Sequence, residues 1–189
     1  MGFLDIGPGW VAMMCALYYL NPMHSFWPFC AAMACHELGH AAALALTGVP
    51  IRQLRLNLGG AVLETGEMDY RREILCALAG PLTNVCLVPL GRWFPMFATL
   101  SLCLAVFNLL PVSPLDGGRA LRAWILLRRG PAAARRVMTV AAVVCGAGLA
   151  GLSIWVSAGL GGGLWPVLVA ALTLLRVGLG VAEDAKKPL

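Results

Sequence analysis

The chain has 189 residues, of which 60% are hydrophobic and 12% charged, with a formal net charge of +5 and a mean hydropathy of +0.81. A soluble globular domain is about 25% charged, so this composition excludes a water-soluble domain and describes a polytopic membrane protein with room for about six spans. The basic excess falls in short loops between apolar stretches, which makes it a topology signal rather than a nucleic-acid surface.

In chain order, the first apolar segment is expected at about Ile6–Leu20, ended by Asn21-Pro22. Met1–Asp5 carries no basic n-region, so no cleavable signal peptide is expected. The second span covers Ser25–Thr47 and stops at Gly48-Val49-Pro50. Residues 51–66 alternate Leu54, Leu56 and Leu58 with Arg55 and Asn57, turn at Gly59-Gly60 and return through Val62 and Glu64. This is the pattern of a small β-hairpin between spans two and three. It can serve as a surface link, or as an edge that pairs with an extended peptide.

The third span is expected at Glu73–Leu90 and contains Ala79-Gly80-Pro81-Leu82-Thr83-Asn84. A mid-span proline frees a backbone carbonyl that neighbours or water must satisfy, and the small residues suit a close helix contact. The fourth runs from Pro95 to Leu110. Pro111, Pro114, Gly117 and Gly118 then break the helix, which resumes through Arg119–Arg129. The fifth span is Val137–Ser157. After a glycine-rich link at 159–163, the sixth covers Leu164–Ala182. Six spans place Arg52, Arg55, Arg71, Arg72, the arginines of 119–136, Lys186 and Lys187 on one face. That face is expected to be cytoplasmic, with both termini on it.

The second span carries the decisive pattern, His36-Glu37-Leu38-Gly39-His40, in a stretch from about Met23 to Gly48 with no other charged residue. A helix turns about 100° per residue, so His36 and His40 project from one face and can grip one metal ion. Glu37 stands beside them, placed to handle the proton of an activated water. An ionisable cluster at membrane depth is costly and marks function. The chance of such a pattern arising at random in a chain of this length is roughly half a percent from ordinary residue frequencies. That is suggestive alone, and a second intramembrane feature must decide it.

A catalytic zinc takes three protein ligands and one water. His24 lies twelve residues before His36, about 18 Å away along the helix, and cannot reach. Glu64, Glu67, Asp69 and Glu73 sit among arginines and are expected to be solvated. Asp116 lies in the broken helix between apolar segments, where irregular backbone must line protein or a wet cavity. It also fits as the cap of the following helix or as a partner for Arg119, roles compatible with ligation. The seven cysteines all lie in apolar stretches without a CxxC pair and imply no disulfide framework. Cys35 points about 100° away from His36 and is not favoured as a ligand.

HELGH at 36–40, AGPLTN at 79–84 and FNLLPVSPLDGGR at 107–119, in this order on successive spans, resemble the site-2 protease family of intramembrane zinc metalloproteases. The likeness covers about residues 25–130, leaving 131–189 as two additional spans and a short cytoplasmic tail of one integral-membrane peptidase domain. The resemblance implies one Zn2+ per chain held by His36, His40 and Asp116, with Glu37 as the catalytic base. It also implies that Asn108 engages the substrate backbone. The implied partners are a membrane-associated protein substrate, the lipid bilayer and a membrane regulator, with no nucleic acid. Small size and six spans are similar to the stage IV sporulation branch, whose substrate is a membrane-associated pro-sigma factor. This chain is expected to do without that branch's C-terminal nucleotide-sensing domain and without a PDZ domain. The competing expectation is a non-proteolytic metal-binding membrane scaffold or transporter subunit. Transport would call for further polar residues along several spans, and almost none stand outside the motifs.

Overall fold

A computed structural model describes residues 4–19, 25–57 and 60–159, which form helices and one small sheet. His24, the hairpin tip at 58–59 and the expected sixth span lie outside these residues. Two compact units meet in sequence at Phe107 and Asn108.

The first unit begins with β1 (Leu4–Ile6) and α1 (Pro8–Tyr19). The expected first span thus gives Ile6 to the strand and runs as one helix from Pro8 to Tyr19. At twelve residues, α1 rises about 18 Å, short of a bilayer core of about 30 Å. The reason is local: Gly7-Pro8 ends the strand, and proline suits the first helical position. Next comes α2 (Phe26–Leu46), whose 21 residues rise about 31 Å. Its end is built by Gly48 at φ 70°. The Gly48 N–H donates to the Ala45 carbonyl and the Val49 N–H to that of Leu44, while Leu44 and Val49 pack together. That is the Schellman pattern of bonds, and its apolar staple seals the helix end.

β2 (Ile51–Asn57) and β3 (Gly60–Thr65) follow and pair antiparallel, with Leu54 opposite Leu63. The hairpin forms in sequence between α2 and α3, but β2 is not an edge. β1 pairs parallel on its other side, Leu4 to Leu54 and Ile6 to Leu56, giving the order β1-β2-β3. The idea that Leu54–Leu58 receives an extended peptide is therefore corrected, because the backbone of Leu54–Leu56 is flanked by strands on both sides. Arg55 joins the three strands, pairing with Glu64 at 2.8 Å and Asp5 at 3.7 Å. These half-exposed pairs fix register more than they add stability. Leu44, Val49 and Cys76, with Ile51, Leu63 and Met68 against them, tie the sheet to the end of α2 and to α3.

α3 (Tyr70–Leu87) starts at Asp69, whose side chain accepts the Arg72 N–H at 2.9 Å. A 3-10 turn, Val88–Arg92, carries the chain to α4 (Pro95–Asn108). At 14 residues, α4 is also short for a span.

In the second unit, Pro111–Leu115 is irregular and contains a cis peptide before Pro114. Val112 is buried against Ala142 and Cys145. α5 (Asp116–Gly159) joins the expected Arg119–Arg129 helix to the fifth span, with one break at Gly130 (φ 78°, ψ 179°) before Pro131. Glycine tolerates the positive φ, and proline starts the second helical segment.

Among the described residues, three helices are long and apolar enough to cross a membrane: Phe26–Leu46, Tyr70–Arg92 and Asp116–Ala158. They present large apolar side chains outward, including Leu38, Leu75, Val143 and Trp155. A surface of that kind needs a hydrocarbon solvent.

Candidate metal centre

α2 and α3 approach until small residues touch. A Cβ on Gly39 would meet the Thr83 hydroxyl and come within 2.8 Å of the Ala79 carbonyl oxygen. A Cβ on Gly80 would enter the His40 ring. The glycines of HELGH and AGPLTN thus let one helix lay its histidines against the other's backbone. Thr83 turns its hydroxyl back to donate to the Ala79 carbonyl at 2.8 Å, which hides its polarity inside α3.

His36 and His40 are 4% and 8% exposed. The His40 Nδ1 lies 2.7 Å from the Cys76 carbonyl oxygen. A carbonyl only accepts, so Nδ1 carries the proton and the neutral ring presents its lone pair at Nε2. His36 Nε2 stands 3.2 Å from His40 Nε2. Two nitrogens bound to one zinc at 2.0–2.1 Å with tetrahedral angles are about 3.3 Å apart. The pair therefore fits a tetrahedral metal: two imidazole nitrogens at ligand spacing, one of them fixed in the ligating tautomer by a backbone acceptor.

Glu37 is half-buried, one residue along α2. Leu38 faces outward at 66% exposure, as the helical period requires. In the second unit Asp116 opens α5, is 7% exposed and pairs with Arg119 at 3.6 Å. The anticipated Arg119 contact is real and stands beside a buried carboxylate. Asn108 ends α4, half-buried. The rejected carboxylates have other work or face solvent: Asp69 caps α3, Glu64 pairs with Arg55, and Glu67 is exposed.

Two neighbours of the histidines were not anticipated as such. The Cys76 carbonyl holds His40, and Asn84 Nδ2 lies 3.4 Å from His36 Nδ1. A polar asparagine in the middle of an apolar helix was the available signal for the second. A backbone acceptor has no side-chain signature.

Residues 88–151 match the model of peptidase family M50. The chain is 33% identical over 163 residues to the protein Rip3 of Mycobacterium tuberculosis, covering 71% of this chain and 40% of that one. It is 34% identical over 109 residues to a zinc metalloprotease of Methanocaldococcus jannaschii, covering 50% of this chain and 32% of the relative. It is 34% identical over 101 residues to stage IV sporulation protein FB of Bacillus subtilis, covering 46% and 35%. The chain thus spans well under half the length of these relatives. In fold it is similar to the solved site-2 protease of Methanocaldococcus jannaschii, with a TM-score of 0.64 at 24% identity over 98% of this chain and 92% of that one. Taken with the histidine pair on a membrane-length helix, the family match and the identity to Rip3 show that this chain carries a peptidase family M50, or site-2 protease, domain.

Proposed function

We propose that this chain is an intramembrane zinc metalloendopeptidase that cleaves a membrane-associated protein. The observation that carries the reading is the buried His36–His40 pair at ligand spacing, with Glu37 adjacent, on a helix apolar enough to cross a bilayer. His36, His40 and Asp116 would hold one zinc per chain; all three are buried and each offers a ligand atom of the right type. Zinc, when bound, supplies Lewis acidity that brings the pKa of a water to about 7 and polarises a carbonyl. Glu37 takes the proton of the attacking water and returns it to the leaving amine. Asn108 holds the substrate backbone, and its amide can donate to the developing oxyanion. A peptide bond inside a helix is shielded by its own hydrogen bonds, so the substrate must be extended before attack. A pro-sigma or anti-sigma factor tethered to the membrane is the substrate class that the resemblance of the motifs at 36–40, 79–84 and 107–119 to the stage IV sporulation branch implies.

In detergent, the purified chain is expected to carry about one zinc. In vesicles it should cut a membrane-tethered reporter, lose that activity to a chelator and regain it on zinc addition. Cleavage that survives complete zinc removal would overturn the reading.

We further propose six spans, with both termini and the near side of the metal centre cytoplasmic. The reading rests on the basic residues at 52–72 and 119–136. His40 precedes Gly48 by eight residues, about 12 Å of helical rise. Single cysteines at Phe3, Ala132 and Lys186, in a background stripped of native cysteines, should label only from the cytoplasmic side. Labelling from outside would reverse the topology.

A further inference from the structure

Asn84 is wholly buried, yet only half of its amide is used. Its Nδ2 lies 3.4 Å from His36 Nδ1, and its Oδ1 has no hydrogen-bond partner among the described residues. A buried, unpaired amide oxygen costs free energy and calls for a reason.

The donors and acceptors supply one. As placed, the contacts read as a single chain. The Asn84 amide donates to His36 Nδ1, His36 Nε2–H donates to His40 Nε2, and His40 Nδ1–H donates to the Cys76 carbonyl. This arrangement needs His36 as the Nε2–H tautomer. Metal ligation through His36 Nε2 needs the opposite one, because a neutral imidazole carries one proton and it must then sit on Nδ1. Nδ1–H in turn needs an acceptor. His40 already has its acceptor in a fixed backbone carbonyl. His36 faces a side chain whose oxygen and nitrogen exchange places on a half-turn about χ2.

We infer that Asn84 is a two-way positioning residue for His36. Its amide nitrogen supports the Nε2–H tautomer, and its amide oxygen, after the half-turn, supports the Nδ1–H tautomer that ligates metal. No bond is made or broken in the amide; one imidazole proton moves from Nε2 to Nδ1 by exchange with solvent as metal enters. The inference rests on the metal-centre reading above and deepens it.

The test compares zinc affinity, by chelator competition, for the detergent-solubilised 189-residue chain, three variants at Asn84 and His36→Ala. Asn84→Leu keeps the volume and removes the acceptor, and zinc affinity should fall roughly 10–100-fold, as for other partners of a metal-bound histidine. Asn84→Ala should fall likewise, which covers the case in which leucine does not fold. Asn84→Asp accepts without donating and should bind zinc within threefold of wild type or tighter. The thermal midpoint without zinc should not follow this order. In the 15N-histidine spectrum, His36 should move from Nε2-protonated to Nδ1-protonated on zinc addition in wild type and in Asn84→Asp. Leucine and alanine variants that bind zinc within threefold of wild type would overturn the inference alone. So would an aspartate variant that loses as much affinity as the alanine variant. A wild-type chain with no zinc affinity, or one that keeps it in His36→Ala, would overturn the metal-centre reading and this inference with it.

Discussion

Replacing Glu37 by glutamine is expected to leave zinc and fold in place and to slow cleavage by roughly 10²–10⁴-fold or more. The amide matches the carboxylate in size but cannot take a proton from water. Glu37 is half-buried on α2 between buried His36 and exposed Leu38, so the change neither opens a cavity nor disturbs the helix. Its neighbours His36 and His40 keep the 3.2 Å spacing that suits a metal. Zinc content per chain, thermal midpoint and single-turnover cleavage of a tethered reporter in vesicles separate the effects. If the glutamine variant processed the reporter at near wild-type speed, the base would have to be sought elsewhere. If it lost zinc as well, Glu37 would belong to the ligand set.

The second large effect is expected at Asp116. Removing one of three protein ligands should weaken zinc by more than the 10–100-fold typical of an outer partner. Asp116 has competing duties, however: it opens α5 and pairs with Arg119 at 3.6 Å. Asp116→Ala would remove all of these together. Asp116→Asn separates the helix start from the other two, because asparagine starts helices as well as aspartate does but brings a neutral amide where the metal wants an anionic oxygen; the half-exposed Arg119 pair lost with it is worth little. The asparagine variant should keep its helix content and thermal midpoint without zinc while losing zinc. Cleavage falls with it, since metal and base act as one unit. Full zinc occupancy in Asp116→Asn would reduce this carboxylate to a helix-starting and ion-pairing role, and the third ligand would lie elsewhere.

Much of this protein could be read in one dimension, where the governing physics is local. The pairing of His36 with His40 follows from the pitch of a helix, which sets residues four apart on one face whatever surrounds them. The stop at Gly48-Val49-Pro50 follows from backbone sterics, and the bonds made by Gly48 and Val49 follow in turn. The break at Pro111–Pro114 and the membrane class likewise follow from backbone chemistry and composition.

Contacts between distant segments were decided by the tertiary structure. Alternation marked β2 and β3 but could not tell which strands would flank them. β1 arrives from about fifty positions away to take the second edge of β2, because an unpaired edge attracts any strand that can reach it. The same segment shows why the helix of the first span starts at Pro8 and not at Ile6. Apolar content is common to a strand and a span, and the pairing of Leu4–Ile6 with Leu54–Leu56 chose between them. At the metal centre, the sequence supplied the histidines but not what orients them. That task falls to the Cys76 carbonyl and Asn84, 36 and 48 residues away in the chain. They reach the rings because Gly39 and Gly80 let two helices close to backbone contact, and which glycines will face each other is settled only when the helices pack.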